Sequence, residues 1–359
     1  MTSYVFKYDS DFYTERGAVI KGLEIAYTTR GSFDKSKSNV VWVIHALTGN
    51  ADVFDWWAGL FGENDLFNPK DHFIVSANNL GSCYGSTGPL SINPESGQPY
   101  YHSFPLITIK DIAKSLQLLA DHLGIEKIKV LIGGSMGGQI ALEWSLTETQ
   151  RFENLILIAT SAKHSSWGIA FNESQRMAIE ADVTWGNQSP LSGVQGLKAA
   201  RSIALLSYRN HRTYNNTQVE EEKGDLDKIN HFKAASYQRY QGEKLVKRFN
   251  AYSYYTLLKA MDTHNIGRGR EDIVSALNHL NINTLLINID TDILFPLEDQ
   301  SYLYKHIPVA WLEQICSLYG HDGFLIETKK LTHIIRRFLP IPLLFCDGPS
   351  ILSSKNEVR

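Results

Sequence analysis

The chain has 359 residues, of which 43% are hydrophobic and 20% charged, so it suits one large globular domain with an insertion and excludes extensive disorder. A net charge of −3 without a long basic run argues against nucleic acid or an anionic membrane as partner. Three scattered cysteines (Cys83, Cys316 and Cys346) indicate a reducing compartment. With no apolar signal core and no membrane-spanning stretch, we expect a cytoplasmic protein.

Short apolar runs alternate along the chain with longer amphipathic segments. The predicted strands are Val40–Ile44, Phe73–Ala77, Ile128–Ile132, Leu155–Ala159 and Thr284–Ile289, and the clearest predicted helices are Thr108–Leu123 and Met136–Thr147. Nearly continuous apolar strands are typical of a sheet that is buried on both faces. The sequence therefore predicts an α/β fold with a mostly parallel central sheet flanked by helices.

The alternation stops after Ala159 and resumes at Thr284. The polar, helix-like stretch between them is too long for a loop. We therefore predict a core in two parts, 1–162 and 281–359, with a helical lid inserted at 163–280. Residues 340–359 are expected to form a loosely held tail at the end of the second part.

A G-x-S-x-G pattern centred on Ser135 follows the apolar strand KVLIGG and leads straight into a helix. A strand, sharp turn and helix around this pattern form the nucleophile elbow of the α/β-hydrolase fold. Gly133 and Gly137 allow close backbone approach, and the helix N-terminus favours developing negative charge. A glycine-rich turn with a capping serine is the alternative, but the context favours a nucleophile for acyl transfer.

A serine hydroxyl needs a base, and in this fold an acid and then a histidine follow the serine in the sequence. The segment DTDILFP offers Asp290 and Asp292, of which Asp292 lies further past the strand and is preferred as the orienting acid. Asp290 is expected to be a structural neighbour. His321, between Gly320 and Gly323, is the predicted base.

Backbone N–H groups of Met136 and Leu47 are the candidate oxyanion donors. Leu47 belongs to HALTG, which on its own also suits a plain turn after a strand. The histidines do not pair with carboxylates or cysteines at ligand spacing, so no metal site is expected.

From about Gly22 to Glu327 the sequence resembles the homoserine O-acetyltransferase family. The similar segments include NNLGSCYGSTGPL, HALTGNAD, LIGGSMGG, FNESQRMAI, GLKAARSIALLSY, RYQGEKLVKRFNAYSY, KAMDTHNIGRGR, TDILFP and GHDGFL. The resemblance implies an α/β-hydrolase fold, no bound cofactor, acetyl-CoA as co-substrate and a homodimer associating through the lid. It also implies acetyl transfer to homoserine in methionine biosynthesis, in two steps through an acetylated Ser135, with His321 as base and Asp292 as its partner.

The resemblance further implies that Arg176 binds the substrate carboxylate, that Asp322 faces its amine and that Tyr208 lines the same pocket. Without the family resemblance, the sequence favours a surface position in the lid for Arg176 and a structural role in a loop for Asp322. Leu205 and Ser82 depart from the family pattern, which leaves the acyl donor and acceptor open. A succinyl donor, a serine acceptor, an esterase that uses water and a non-catalytic binding protein are the alternatives.

Overall fold

A computed structural model describes residues 3–36, 38–220 and 232–339. Its strands are β1 (Ser3–Lys7), β2 (Phe12–Tyr13), β3 (Val19–Ile20), β4 (Glu24–Arg30), β5 (Val40–Ile44), β6 (Phe73–Ala77), β7 (Ile128–Gly134), β8 (Phe152–Ile158), β9 (Asn283–Ile289) and β10 (Ala310–Ile315). Eight of them form one sheet in the order β1-β4-β6-β5-β7-β8-β9-β10, while β2 and β3 form a separate hairpin.

The helices are α1 (Val53–Trp56), α2 (Ile109–His122), α3 (Met136–Thr147), α4 (Ser166–Glu180), α5 (Val194–Tyr208), α6 (His211–Thr217), α7 (Lys233–Val246), α8 (Ala251–Asp262), α9 (Ile273–Asn278), α10 (Leu297–His306), α11 (Gly323–Ile326) and α12 (Thr328–Phe338). Helix α2 begins with a capping box, in which Thr108 and Asp111 satisfy each other's backbone N–H groups. None of the helices within the described ranges is long and apolar enough to cross a membrane.

The pairs from β6 to β10 are parallel, whereas β4 pairs antiparallel with both β1 and β6, so β4 is the one reversed strand of this described sheet. The predicted α/β class with a mostly parallel sheet is therefore confirmed. Predicted strands Val40–Ile44 and Phe73–Ala77 and predicted helix Met136–Thr147 have the bounds that the structure shows. The sequence patterns did not indicate β1, β4 or β10.

Each central strand buries side chains on both faces of the sheet. In β5, Trp42 packs edge-on against Trp144 of α3, at 5.0 Å between ring centroids. Its neighbours Val41 and Val43 belong to the opposite core layer, which also holds Trp57. This two-sided burial explains why the strands read as continuous apolar runs rather than as alternating ones.

The register of the sheet places the ends of several strands at one edge. Ile44 at the end of β5 pairs with Gly133 near the end of β7, so the loops that follow them start side by side. Strand β9 ends at Ile289, which pairs with Ile315 of β10. The segments that follow β5, β7, β9 and β10 therefore leave the sheet at the same edge, where open α/β sheets place their sites.

Between β8 and β9 lie helices α4 to α9, in the segment for which an inserted lid is predicted. The division at 163 and 280 stays a prediction. The predicted tail, 340–359, lies outside the described residues.

Candidate active site

Ser135 stands between β7 and α3 with φ 56° and ψ −127°, a backbone conformation that is uncommon for a residue with a side chain. Such strain is tolerated where the surroundings impose it and is frequent at active sites. Gly133 and Gly137 are required on steric grounds. A Cβ on Gly133 would lie 2.3 Å from the carbonyl oxygen of Gly137, and one on Gly137 would lie 2.2 Å from that of Ile44.

His321 and Asp292 form a buried pair with 2.6 Å between Nδ1 and Oδ2. The other Asp292 oxygen accepts hydrogen bonds from the N–H groups of Leu294 (2.8 Å) and Phe295 (2.9 Å), so the carboxylate is held from both sides. An ionised carboxylate only accepts, so Nδ1 is the ring nitrogen that carries the proton and Nε2 is left for the substrate side. Asp290 instead accepts from the Ser317 N–H at 2.8 Å, a structural contact.

The pKa of His321 reflects two opposing influences. Burial alone would lower the pKa of this imidazole, whereas the charge and hydrogen bond of Asp292, with a smaller contribution from Asp322, raise it. The net direction is upward. The pair therefore favours the imidazolium that a general base becomes after it accepts a proton.

Aromatic rings enclose the His321 imidazole. Phe295 and Phe324 lie at 5.3 Å and Tyr208 at 5.7 Å between ring centroids. With these rings around it the His321 side chain is buried, and the packing restricts rotation of the imidazole.

The loop after β5 is held by a buried histidine. The Asn79 N–H donates to His45 Nε2 at 3.0 Å, so the His45 proton is assigned to Nδ1, which donates to the Ala46 carbonyl at 2.8 Å. The Gly49 N–H donates to the same carbonyl at 2.9 Å. Burial lowers the pKa of His45 to about 4, so the ring is neutral near pH 7.

One cavity of about 310 Å³ brings these elements together. Its lining includes Ser135, His321, Leu47, Tyr208 and Asp322, while Met136 directly follows Ser135 as the first residue of α3. The other residues that line it are Ala46, Thr48, Gly49, Trp56, Arg201, Arg209, Gln241, Lys244, Arg248, Phe324, Leu325 and Ile326. A serine, an oriented histidine and two candidate amide donors around one space can carry out acyl transfer.

A family model described as the alpha/beta hydrolase fold matches residues 39–328. A homoserine O-acetyltransferase of Cyclobacterium marinum is 49% identical over 94% of this chain and 95% of its own. One from Chlorobaculum parvum is 44% identical over 93% of both chains. The chain belongs to the homoserine O-acetyltransferase family.

Solved structures agree on the fold. Homoserine O-acetyltransferase from Staphylococcus aureus has a TM-score of 0.77 at 29% identity, covering 96% of this chain and 97% of that one. Esterase E22 has a TM-score of 0.87 at 22% identity, covering 94% of this chain and 100% of that one. The similarity to esterase E22 shows the fold alone, because enzymes with different acyl acceptors share this fold.

The residue proposed from the homoserine O-acetyltransferase pattern to hold a carboxylate, Arg176, is placed elsewhere. It is 6% exposed on α4 and does not belong to the residues that line the cavity. Its Nη1 lies 2.6 Å from Asp262 Oδ2, and its Nε donates to Glu173 at 2.9 Å. Two carboxylates therefore already pair with the guanidinium, and the role of Arg176 in binding a substrate carboxylate stays a prediction.

Arg201 on α5 is the arginine that lines the cavity, and sequence reasoning missed it. It lies 5.4 Å from the centre of the Tyr208 ring, and no carboxylate pairs with it in the part of the chain that the structure describes. The signal was present in GLKAARSIALLSY, because residues seven apart on a helix share a face. Arg201 and Tyr208 have that spacing.

Asp322 lines the cavity, and its Oδ2 lies 2.9 Å from Arg209 Nε. That it faces the substrate amine stays a prediction. The two residues that depart from the homoserine O-acetyltransferase pattern, Leu205 and Ser82, are buried and do not line the cavity. Across the described ranges, no group of three histidine, cysteine or acidic side chains has the arrangement of a metal site.

Proposed function

We propose that the protein transfers an acetyl group from acetyl-CoA to the hydroxyl of L-homoserine through an acetyl-Ser135 intermediate. The observation that carries this proposal is that Arg201 and Asp322 line the same cavity as Ser135 and His321. An amino acid presents a carboxylate and an ammonium group, which need one cation and one anion. Relatives named homoserine O-acetyltransferase at up to 49% identity support the same acceptor.

In the first half-reaction, His321 Nε2 takes the Ser135 hydroxyl proton as Oγ attacks the thioester carbonyl. The Leu47 and Met136 N–H groups donate to the oxyanion, and neither amide has an acceptor among the described residues. When the tetrahedral intermediate collapses, the C–S bond breaks and the CoA thiol leaves with the proton from His321. Asp292, 2.6 Å from Nδ1, stabilises the imidazolium between these steps.

In the second half-reaction, Arg201 binds the carboxylate of homoserine and Asp322 its ammonium group. His321 removes the proton from the side-chain hydroxyl, whose oxygen attacks the acetyl carbonyl on Ser135. The C–O bond to Ser135 breaks, and Ser135 recovers its proton from His321. Because CoA leaves before homoserine reacts, the kinetics are ping-pong.

The test measures CoA release from acetyl-CoA with and without L-homoserine, and hydrolysis of p-nitrophenyl acetate beside it. We expect release to depend on homoserine, and Ser135→Ala to abolish both reactions. Release that homoserine does not accelerate would establish water as the acceptor. A matrix of acetyl-CoA and succinyl-CoA against homoserine and serine tests the donor and the acceptor, and preference for another pair would replace the one proposed.

We also propose that residues 163–280 form a lid through which two copies associate in the cytoplasm, where the product would enter methionine biosynthesis. Large apolar side chains exposed on this segment support association. They are Trp167 (54% exposed), Met177 (60%), Val183 (97%) and Leu191 (75%). Sedimentation of the full chain at micromolar concentration tests the dimer, and a clean monomer would refute it.

A further inference from the structure

The wall of the active-site cavity carries a charge opposite to that of the whole protein. The chain has a net charge of −3. Yet four of the residues that line the cavity are Arg201, Arg209, Lys244 and Arg248, against the one carboxylate of Asp322. A concave surface lined by one sign of charge concentrates ligands of the opposite sign, so the cavity suits a ligand with more negative charge than homoserine has.

Two of these cations already have roles. Arg209 pairs with Asp322 at 2.9 Å, and Arg201 is proposed for the homoserine carboxylate. Lys244 and Arg248 remain. Together with Gln241 they line the cavity from the end of α7 and the turn after it, at spacings of three and four residues that place all three on one side.

Lys244 is exposed, and in the ranges that the structure describes it forms no ion pair. Arg248 is also exposed, but it is anchored. Its Nη1 donates to the Thr48 carbonyl and to the Tyr84 hydroxyl, each at 2.6 Å. One nitrogen of the guanidinium thus fixes the side chain beside the loop after β5, while Nη2 and Nε remain for an anion.

We propose that Lys244 and Arg248 form the binding site for the phosphate groups of the acyl-CoA donor. This inference rests on the proposed function and assigns to the donor a part of the cavity separate from the homoserine site. Charge-assisted hydrogen bonds from lysine and arginine are the usual protein contacts to phosphate.

The position of the two side chains favours phosphate over a carboxylate on the acyl group. The acyl carbon must reach Ser135, which is 5% exposed, whereas Lys244 and Arg248 are exposed to solvent at the cavity mouth. Groups at the mouth contact the end of the donor that is remote from the thioester. In CoA, that end carries the phosphates.

The experiment compares the wild-type protein with Lys244→Glu and with Lys247→Glu as a matched control. Lys247 is exposed and nearby but does not line the cavity, so both substitutions change the net charge equally. Acyl donors are acetyl-CoA, S-acetylpantetheine, which lacks every phosphate, and S-succinylpantetheine, which carries an acyl carboxylate. Homoserine is the acceptor throughout.

We expect Lys244→Glu to raise the KM for acetyl-CoA about tenfold or more, because one charge-assisted contact is lost and a repulsive charge is added. Lys247→Glu should match the wild type, and S-acetylpantetheine should react equally with all three proteins. Arg248→Lys should raise the KM for acetyl-CoA in the same direction.

An unchanged KM for acetyl-CoA in Lys244→Glu would overturn the phosphate site, as would an equal loss with S-acetylpantetheine. A loss confined to S-succinylpantetheine would assign Lys244 to an acyl carboxylate and also overturn it. In each case, homoserine-dependent CoA release by the wild type would leave the proposed function standing. Absence of that release in the wild type would overturn the function itself.

Discussion

His45 Nδ1 lies 2.8 Å from the carbonyl oxygen of Ala46, and this contact orients the peptide bond that ends in the Leu47 N–H. The Ala46 carbonyl and the Leu47 amide belong to one planar trans unit, so they point in opposite directions. His45 and the Gly49 N–H, at 2.9 Å, both donate to the Ala46 carbonyl. The Leu47 N–H therefore points away from these two donors. Leu47 is the candidate oxyanion donor, so we propose His45 as a positioning residue.

His45→Ala should therefore lower kcat about a hundredfold with little change in KM, as expected when an oxyanion donor is lost. His45→Gln, which keeps a donor, should recover part of the activity. Turnover of acetyl-CoA and of p-nitrophenyl acetate should fall in parallel, while circular dichroism shows folded protein. A change in KM alone would remove His45 from this role.

Asp322→Asn should move the acid limb of the pH–rate profile to lower pH. In the proposed mechanism His321 must be neutral to act as the base. Its pKa lies above the ordinary value of 6.5 in spite of burial, owing to Asp292 and, less strongly, Asp322. Without the negative charge of Asp322 the pKa of His321 is lower, so the neutral imidazole persists to more acidic pH. The acylation burst with p-nitrophenyl acetate measures this limb without homoserine. A limb that stays in place would show that Asp322 does not influence His321.

The central strands could be predicted because burial on both faces leaves a continuous apolar signature. Strand β10, AWLEQI, lies at the sheet edge with four of its six residues partly or fully exposed, so that signature is absent. Strand β4, EIAYTTR, mixes polar and apolar residues and pairs antiparallel with β6. A one-dimensional pattern records burial, and edge or antiparallel strands are buried less uniformly.

The candidate triad could be predicted for a different reason. Each member of this candidate triad is marked by the segments next to it in the sequence, such as the strand and helix that flank Ser135. Ser135, Asp292 and His321 could therefore be selected from their sequence neighbours. The spacing of Arg201 and Tyr208 indicates a shared helix face, but the choice between Arg176 and Arg201 could not be made from the sequence, because both lie on helices between β8 and β9. Which of them faces the cavity depends on how these helices pack, and ion pairing of Arg176 with Asp262 is a tertiary contact.

Substituting the two arginines separates a binding role from a structural one. Arg201→Ala should raise the KM for homoserine about a hundredfold, because a charged partner of the substrate is lost, and leave the unfolding temperature near that of the wild type. Arg176→Ala should lower the free energy of unfolding by about 3 kcal/mol, because Asp262 keeps a largely buried charge without its ion-pair partner. Homoserine titrations and urea unfolding measure the two quantities. A raised KM for homoserine in Arg176→Ala with unchanged stability would instead support the predicted role of Arg176 in binding the substrate.

Gly137→Ala tests whether the glycines of the elbow are needed for steric reasons. The added Cβ would lie 2.2 Å from the Ile44 carbonyl oxygen and 3.1 Å from that of His45. Both are backbone atoms, so the end of β5 or the start of α3 must move. We expect a loss of stability of about 1–3 kcal/mol, typical of overpacking.

The activity of Gly137→Ala should fall further than its stability implies, because the displaced strand end leads directly into the loop that carries Leu47. Gly186→Ala is the matched control, since a Cβ on exposed Gly186 meets nothing within 4 Å. It should leave unfolding and turnover within error of the wild type. If Gly137→Ala retained full kcat after correction for its folded fraction, the close approach of α3 to β5 would be dispensable for the oxyanion loop. The Leu47 N–H would then depend on His45 and Gly49 alone.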